Sequence, residues 1–195
     1  MMETKKLVGI ISSMLLIVNY ISKNIVNLLF KVDAQFFEIH WNVTMFVYIV
    51  GIVGFYFSVS RYLKHYNYQI ENKLVISLIT FEIVSFILRL IQYNYNTIPS
   101  LITTILSVII ILILAVLGVK ILLRKDNDFI NLRGLKRFVI SWFVAHLLLM
   151  IISAVLTVIH KVELLSITFI VLVIPYIFGL LFFVQDKIQV KTTCS

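Results

Sequence analysis

Four long stretches of the sequence contain no Asp, Glu, Lys or Arg, and this pattern constrains the fold more than any other feature. The stretches are residues 41–60, 90–119, 138–159 and 164–185. A helix needs roughly 20 mostly apolar residues to cross the hydrocarbon core of a bilayer. Because 61% of the residues are hydrophobic and only 13% are charged, little chain remains for a soluble domain. The sequence therefore predicts an all-α, polytopic transmembrane helix bundle, with residues 1–195 as a single integral membrane domain.

Six spans fit the pattern of apolar runs. They cover about 7–29, 41–60, 74–92, 99–123, 138–159 and 164–185. The neutral stretch 90–119 is too long for one span, and the cluster of Asn94, Asn96 and Pro99 predicts a turn that divides it. Pro99 also suits the first turn of the helix that follows. No small-x-small cleavage pattern follows the first run, so we expect it to be retained as a helix.

The basic residues are distributed unevenly between the two sides of such a bundle. With the N-terminus inside, the cytoplasmic segments hold 13 of the 17 Lys and Arg residues. The other four, on or near the outer side, are Lys23, Lys31, Arg89 and Lys161. Because Lys and Arg accumulate in cytoplasmic loops, the charge pattern predicts six spans with both termini cytoplasmic.

Polar side chains follow one face of the third span. Glu82, Ser85, Arg89 and Gln92 are spaced 3, 4 and 3 residues apart, which is the spacing of one helix face. An ionisable side chain near the bilayer centre costs at least ~2.5 kcal/mol and therefore faces protein or a water-filled cavity. Glu82 and Arg89 are ~10.5 Å apart along the axis, too far for a direct local ion pair. We predict that both side chains face the interior of the bundle.

His146 in the fifth span and Asn19 in the first complete the candidate intramembrane site. Glu82 and His146 each lie nine residues beyond the last basic residue before their span, so both are ~13 Å into the membrane by the helical rise. A Glu82–His146 contact with coupled titration is one hypothesis. The alternative is that all these polar groups are interhelical hydrogen-bonding partners, worth about 0.6 kcal/mol each.

Several function classes are not supported by the sequence. The net charge of +8 is explained by short loops beside spans, so we expect no nucleic-acid binding. The basic segment 124–137 has the pattern of a loop that lies on anionic lipid, although setting the topology explains the same charges. No catalytic or cofactor motif is present. The outer-side residues with metal-binding side chains lack ligand spacing and are more typical of solvated loops; they are Asp33, Glu38, His40, His160 and Glu163.

The sequence leaves two functional hypotheses open. The first is a non-enzymatic transport component that binds a small solute, alone or with a membrane or ATPase partner subunit. In size and helix number the chain resembles the six-helix substrate-capturing subunits of bacterial vitamin transporters, but in architecture alone. The alternative is an interaction protein, such as a bacteriocin-type immunity or accessory factor. The isoleucine-rich, alanine-poor composition is typical of an AT-rich genome, so we expect the cell membrane of a bacterium.

Overall fold

The computed structural model describes residues 2–29, 34–95, 100–124, 132–159 and 168–192. In these ranges every regular element is a helix, which confirms the prediction of an all-α fold for this part of the chain. A short 3₁₀ helix (Phe169–Leu172) leads into the last α-helix. The six α-helices are α1 (Met2–Leu29), α2 (Ala34–His65), α3 (Gln69–Tyr95), α4 (Ser100–Leu123), α5 (Leu132–Val158) and α6 (Val173–Thr192).

The six helices form a closed ring in chain order. Each helix packs against its neighbours in the sequence, and α6 packs against α1. Neighbouring helices are antiparallel: between α1 and α6, Gly9 faces Phe183, whereas Tyr20 stacks on Tyr176. We call the end of the ring that holds the start of α1 and the α2–α3 turn the N-terminal end. The distal end holds the last turns of α1, α3 and α5.

Five of the helices contain segments that are long and apolar enough to cross a membrane. These segments are Lys6–Ile25, His40–His65, Gln69–Ile91, Leu101–Leu123 and Leu132–Val158. The apolar part of α6, Ile170–Val184, is shorter. The sequence predicted a sixth span at 164–185, and residues 164–167 of it lie outside the described residues. The chain thus has five to six helices with the length and composition of membrane spans.

Large apolar side chains cover the outside of the ring. Phe46 of α2, Leu112 of α4 and Met150 of α5 are all exposed by more than half. Soluble proteins rarely expose contiguous apolar patches larger than a few hundred Å². An apolar surface on every side of the ring is the surface expected of a protein surrounded by lipid.

Glycine allows close packing at two positions: α1 and α2 approach each other at Gly54, and the Phe55 ring of α2 reaches across the ring interior to Gly179 of α6. A Cβ atom at Gly54 of α2 would overlap the Ser12 side chain of α1, and one at Gly179 of α6 would come within 2.6 Å of the Phe55 ring. Because lipid tails are as apolar as leucine, helices in a membrane associate through close packing of this kind. Small residues at these positions therefore hold α1, α2 and α6 together.

The α2–α3 connection is a tight turn. Asn67 adopts a left-handed conformation with a φ of 62°. The amides of Asn67 and Tyr68 bond to the carbonyl oxygens of Lys64 (3.2 Å) and Leu63 (2.9 Å). These two bonds form a Schellman motif, which satisfies the last carbonyl groups of α2. Asparagine tolerates the left-handed region better than most residues, so the sequence favours a reversal at this position.

An ion pair joins α3 to the end of α4 near the same turn. The Arg124 Nε donates to the Glu71 Oε1 at 2.9 Å, and its guanidinium lies 4.9 Å from the centre of the Tyr68 ring. The Lys136 ammonium in turn donates to the Arg124 carbonyl oxygen at 2.5 Å. These contacts close the N-terminal end of the ring between α3, α4 and α5.

The fifth helix begins earlier than the sequence predicted. The expected span was 138–159, whereas α5 starts at Leu132. Leu132 and Leu135 are buried, and Gly134 lies against Phe182 of α6, so packing extends the helix past its charged residues. The proposed lipid-binding segment 124–137 is therefore partly helix, while residues 125–131 lie outside the described part of the chain.

The packing at Gly54 gives a first prediction. Gly54→Ile places a branched side chain where Ser12 already lies, and overpacking of this kind costs about 1–3 kcal/mol. Val50→Ile is the matched control, since Val50 is one turn away and half exposed on the outside of the ring. We expect the midpoint temperature of thermal unfolding, measured by circular dichroism in detergent, to be lower for Gly54→Ile and unchanged for Val50→Ile. Equal stability of the two variants would contradict the close α1–α2 contact.

Candidate functional site

A central cavity of about 180 Å³ lies inside the ring, from its middle toward the distal end. All six helices contribute to its lining, and so does the 3₁₀ helix through Leu172. The volume is sufficient for several water molecules or for one small solute. The charged and polar residues that line it are Glu82, Ser85, Arg89, Ser107 and His146.

Glu82 places a carboxyl group in this cavity. It is the central residue of the 27-residue helix α3, so it lies as far from either end of that helix as any residue can. Within the described ranges, no group donates a hydrogen bond to this carboxylate and no ion pair joins it to Arg89. The cavity is therefore the only environment that can solvate Glu82, through water or through a ligand.

Arg89 lies two turns further along α3, where the cavity meets the surface of the ring. Its Nη2 donates to the Ser107 Oγ of α4 at 3.2 Å, and the Ser107 hydroxyl donates to the Thr103 carbonyl oxygen at 2.9 Å. The Arg89 side chain remains exposed. The guanidinium thus bridges α3 and α4 at the edge of the cavity, and most of its five donors are left for other groups.

His146 contributes an imidazole from α5. Its Nδ1 lies 2.8 Å from the Trp142 carbonyl oxygen, and its ring centre is 3.9 Å from that of Trp142. A carbonyl oxygen can only accept, so Nδ1 carries the proton of this bond. The second ring nitrogen, Nε2, therefore remains available as an acceptor or a donor.

Three of the four residues of the candidate intramembrane site line the same cavity. Glu82, Arg89 and His146 come together from two helices, although Glu82 and His146 form no direct hydrogen bond in the described structure. Asn19 is buried on α1 but is not part of the lining. Coupled titration of Glu82 and His146 stays a prediction that requires a water or a ligand between them.

Other polar side chains spaced along α2 and α5 bond within their own helices. The Thr157 hydroxyl of α5 donates to the Ser153 carbonyl oxygen at 2.8 Å on the exposed surface. On α2, Ser58 donates in the same way to the Gly54 carbonyl oxygen at 2.9 Å. These residues do not line the cavity, so helical spacing alone did not separate structural from cavity-lining polar groups.

The outer-side cluster of potential metal ligands cannot be described as a whole. Asp33, His160 and Glu163 lie outside the described residues, as does the side chain of Glu38. Within the part of the chain that was described, no group of three His, Cys, Asp or Glu side chains is arranged to hold a metal ion.

Aromatic residues form much of the cavity wall, and none of these Tyr and Trp residues was among the candidate site residues predicted from the sequence. Tyr20 of α1 stacks on Tyr176 of α6, with ring centres 5.7 Å apart, and meets Tyr48 of α2 edge-on at 6.4 Å. Tyr56 and Trp142 also line the cavity. Tyr and Trp are enriched at the membrane interfaces, so a tyrosine in the middle of a span is unusual. This unusual position was the sequence signal that could have identified the tyrosines of the cavity wall.

The N-terminal half of the ring is filled with side chains. Phe55 is fully buried and contacts Phe138 of α5 at 4.9 Å and Phe183 of α6 at 5.7 Å. Beside these rings lies a small space of about 20 Å³. Three residues line both this space and the central cavity and so form the constriction between them: Tyr56, Leu114 and Trp142.

The lack of a partner for Glu82 predicts how its removal affects stability. Because Glu82→Gln removes a charge and breaks no hydrogen bond, we expect it to raise stability by roughly 0.5–2 kcal/mol, as at other strained functional positions. The comparison is Ser60→Ala, which removes the 2.6 Å bond from Ser60 to the Asn72 Oδ1 and should lower stability by about 0.6 kcal/mol. Thermal unfolding in detergent at neutral pH measures both. A loss of stability in Glu82→Gln would identify Glu82 as a structural residue.

Comparison with known proteins gives no family for this fold and cavity. No protein-family model, curated protein or solved structure matches the chain. The functional argument therefore rests on the ring of helices and on the residues that line its cavity.

Proposed function

We propose that the chain is a six-span protein of a bacterial cell membrane with both termini on the cytoplasmic side. The basic residues support this orientation, since 13 of the 17 Lys and Arg residues then lie on or beside the cytoplasmic face. Packing of α6 between α5 and α1 supports the sixth span, because both of these neighbours are long and apolar enough to cross a membrane. The distal end of the ring is then the outer end.

We further propose that the protein is non-enzymatic and carries a small solute across the membrane, alone or as a subunit of a transporter. One observation carries this proposal: a single cavity, lined by all six helices, contains Glu82, Arg89 and His146. Ionisable residues at membrane depth are costly, and they mark solute and proton paths in other membrane proteins. Apolar side chains would pack a purely structural ring at lower cost.

The arrangement of the cavity favours a gated site. The space reaches from the middle of the ring toward its outer end, whereas Phe55 and its neighbours fill the cytoplasmic half. Passage requires the constriction of Tyr56, Leu114 and Trp142 to open. A rearrangement of α4 and α5 relative to α2 opens it, because these three helices supply the three side chains.

A second candidate function is an interaction protein, of the immunity or accessory type. It is favoured by the aromatic packing that closes the cytoplasmic half, since a receptor or inhibitor needs no path through the ring. In this case the exposed apolar faces of the helices bind another membrane protein. A partner subunit such as an ATPase belongs to the first proposal, and its contact surface would lie at the cytoplasmic end.

The segment 124–137 is the candidate contact with anionic lipid. Arg133 and Arg137 are exposed in the first turns of α5, at the end of the ring assigned to the cytoplasm. Basic side chains near an anionic surface gain about 1 kcal/mol each. Binding of anionic lipid by Arg133 and Arg137 is therefore expected if this end of the ring faces the cytoplasm.

The orientation predicts the compartment of two connecting segments. Reporter fusions after Asn94 and after Asn127 should lie outside and inside the cell respectively, because α3 ends at the outer side and α4 returns to the inner side. Alkaline phosphatase and green fluorescent protein, which are active on opposite sides, provide paired readouts at each site. Both fusions in the same compartment would exclude the six-span topology.

Transport predicts that the cavity is reached by water from both sides. In a Cys194→Ser background, Ser85→Cys places one thiol in the cavity lining. We expect a membrane-impermeant methanethiosulfonate to label it in intact cells and in inverted vesicles, because a carrier exposes its site alternately. Labelling from neither side, or from one side only, would favour the interaction protein.

The control for this experiment is Ile87→Cys. Ile87 is also on α3, and 48% of its surface is exposed on the outside of the ring. Surrounded by lipid, a thiol there is not ionised and should not react from either side. Labelling at both positions would show that the reagent detects general access to α3 rather than access to the cavity.

A further inference from the structure

The central cavity combines one carboxylate with an aromatic wall. Glu82 enters it from α3, and six aromatic residues from α1, α2, α3, α5 and α6 share the lining. These residues are Tyr20, Tyr48, Tyr56, Phe86, Trp142 and Tyr176. The Tyr20 ring meets both the Tyr48 ring and the Tyr176 ring, so the three form a continuous surface from three helices.

Among the described residues, no positive group pairs with the Glu82 carboxylate. Neither Arg89 nor His146 forms an ion pair with Glu82, and both bond to other groups, Ser107 and the Trp142 carbonyl oxygen respectively. A ligand that displaces water from the cavity removes the solvation of the carboxylate and must replace it with a charge or with hydrogen bonds. A bound cation provides that pairing for Glu82.

The aromatic wall selects the kind of cation. The face of an aromatic ring attracts cations, and the attraction is strongest for weakly hydrated ones such as quaternary ammonium groups. An inorganic cation instead needs several oxygen ligands, and the lining offers it one carboxylate, phenol hydroxyls and two serines. The apolar part of the lining, including Ile52, Ile110 and Leu114, suits a hydrocarbon body.

An anionic ligand fits the same cavity poorly. Arg89 is exposed at its edge and bonded to Ser107, so an anion held there remains at the mouth between α3 and α4. Further inside, Glu82 repels it. With about 180 Å³, the cavity is smaller than the sites of about 300–1,000 Å³ that hold drug-sized ligands, so the ligand is small.

We propose that the cavity binds a small hydrophobic organic monocation, an amine or quaternary ammonium compound, with Glu82 as its counter-ion and the tyrosines and Trp142 around its charged group. This assignment rests on the proposed role of the cavity as a solute site and names the class of solute. It also assigns a binding role to aromatic side chains that were not among the candidate site residues predicted from the sequence.

The test uses the purified full chain in detergent micelles and three probes of similar size. Benzyltrimethylammonium carries a fixed positive charge, phenylacetate is the anionic counterpart, and benzyl alcohol is neutral. Thermal unfolding and tryptophan fluorescence report binding, since Trp142 lines the cavity. We expect saturable stabilisation and a fluorescence change with benzyltrimethylammonium alone.

Two carboxylate variants locate the binding site. Glu82→Gln should weaken binding of benzyltrimethylammonium by about tenfold or more, because the charge-assisted interaction is lost. Glu71→Gln is the matched control: Glu71 is on the same helix but outside the cavity, so this variant should keep the affinity of the original chain. Equal weakening by both would attribute the effect to the loss of any carboxylate of α3 and not to the cavity, and would overturn the proposal.

A second pair of variants tests the aromatic wall independently of Glu82. Tyr20→Phe keeps the ring and should keep the affinity, whereas Tyr20→Leu should reduce it severalfold. No saturable response to benzyltrimethylammonium, or an equal response to phenylacetate or benzyl alcohol, would overturn the assignment. If Ser85→Cys is labelled from both sides but no cation binds, the proposal of a carrier stands and its solute is of another class. If the cation binds but Ser85→Cys is not labelled from both sides, the cavity is the binding site of a receptor and not of a carrier.

Discussion

The structure depends on the closure of six antiparallel helices into a ring, because only a closed ring shields polar side chains from lipid. Each helix satisfies its own backbone groups, as a membrane span must. The side chains then decide which faces turn inward. Glu82, Arg89 and His146 all line the central cavity. Without contact between α6 and α1, the candidate sixth helix would not complete that shield.

The two halves of the ring interior differ in how they are filled. In the N-terminal half, Phe55 and Phe182 are buried to 1% exposure or less, and glycines such as Gly179 provide the room for the rings. The ion pair of Glu71 with Arg124 closes this end between α3 and α4. In the distal half the aromatic rings line a space instead of filling it. The contrast gives the cavity one closed end, at the N-terminal half of the ring.

The cavity chemistry narrows the functional hypotheses without a relative for comparison. If the protein only bound a partner through its outer surface, the Glu82 carboxylate at the centre of the ring would have no role. An apolar residue at that position would avoid the cost of burying a charge. A solute site gains selectivity from the same group, because the carboxylate rejects anions and the surrounding aromatic rings favour cations. The cost in stability is then a consequence of the function, as in other proteins with buried charges at their sites.

Sequence by itself determined the helical class, the approximate spans and the face of α3 that turns inward, because bilayer thickness and the cost of intramembrane charge act locally on the chain. It placed Glu82 and His146 at a common depth by counting residues. It did not distinguish Asn19, which is buried against its neighbours, from the residues that line the cavity, because one helix face can contact either protein or space.

Only the tertiary structure decided which residues meet. Tyr20, Tyr56 and Tyr176 come from three helices far apart in the sequence, and their convergence follows from the closure of α6 onto α1. The early start of α5 at Leu132 likewise depends on packing against α6. The pattern of apolar and charged residues in each segment indicates whether that segment can form a helix in a membrane. The position of a cavity depends on how well side chains from different helices fill the space between them, and no single segment of the sequence contains that information.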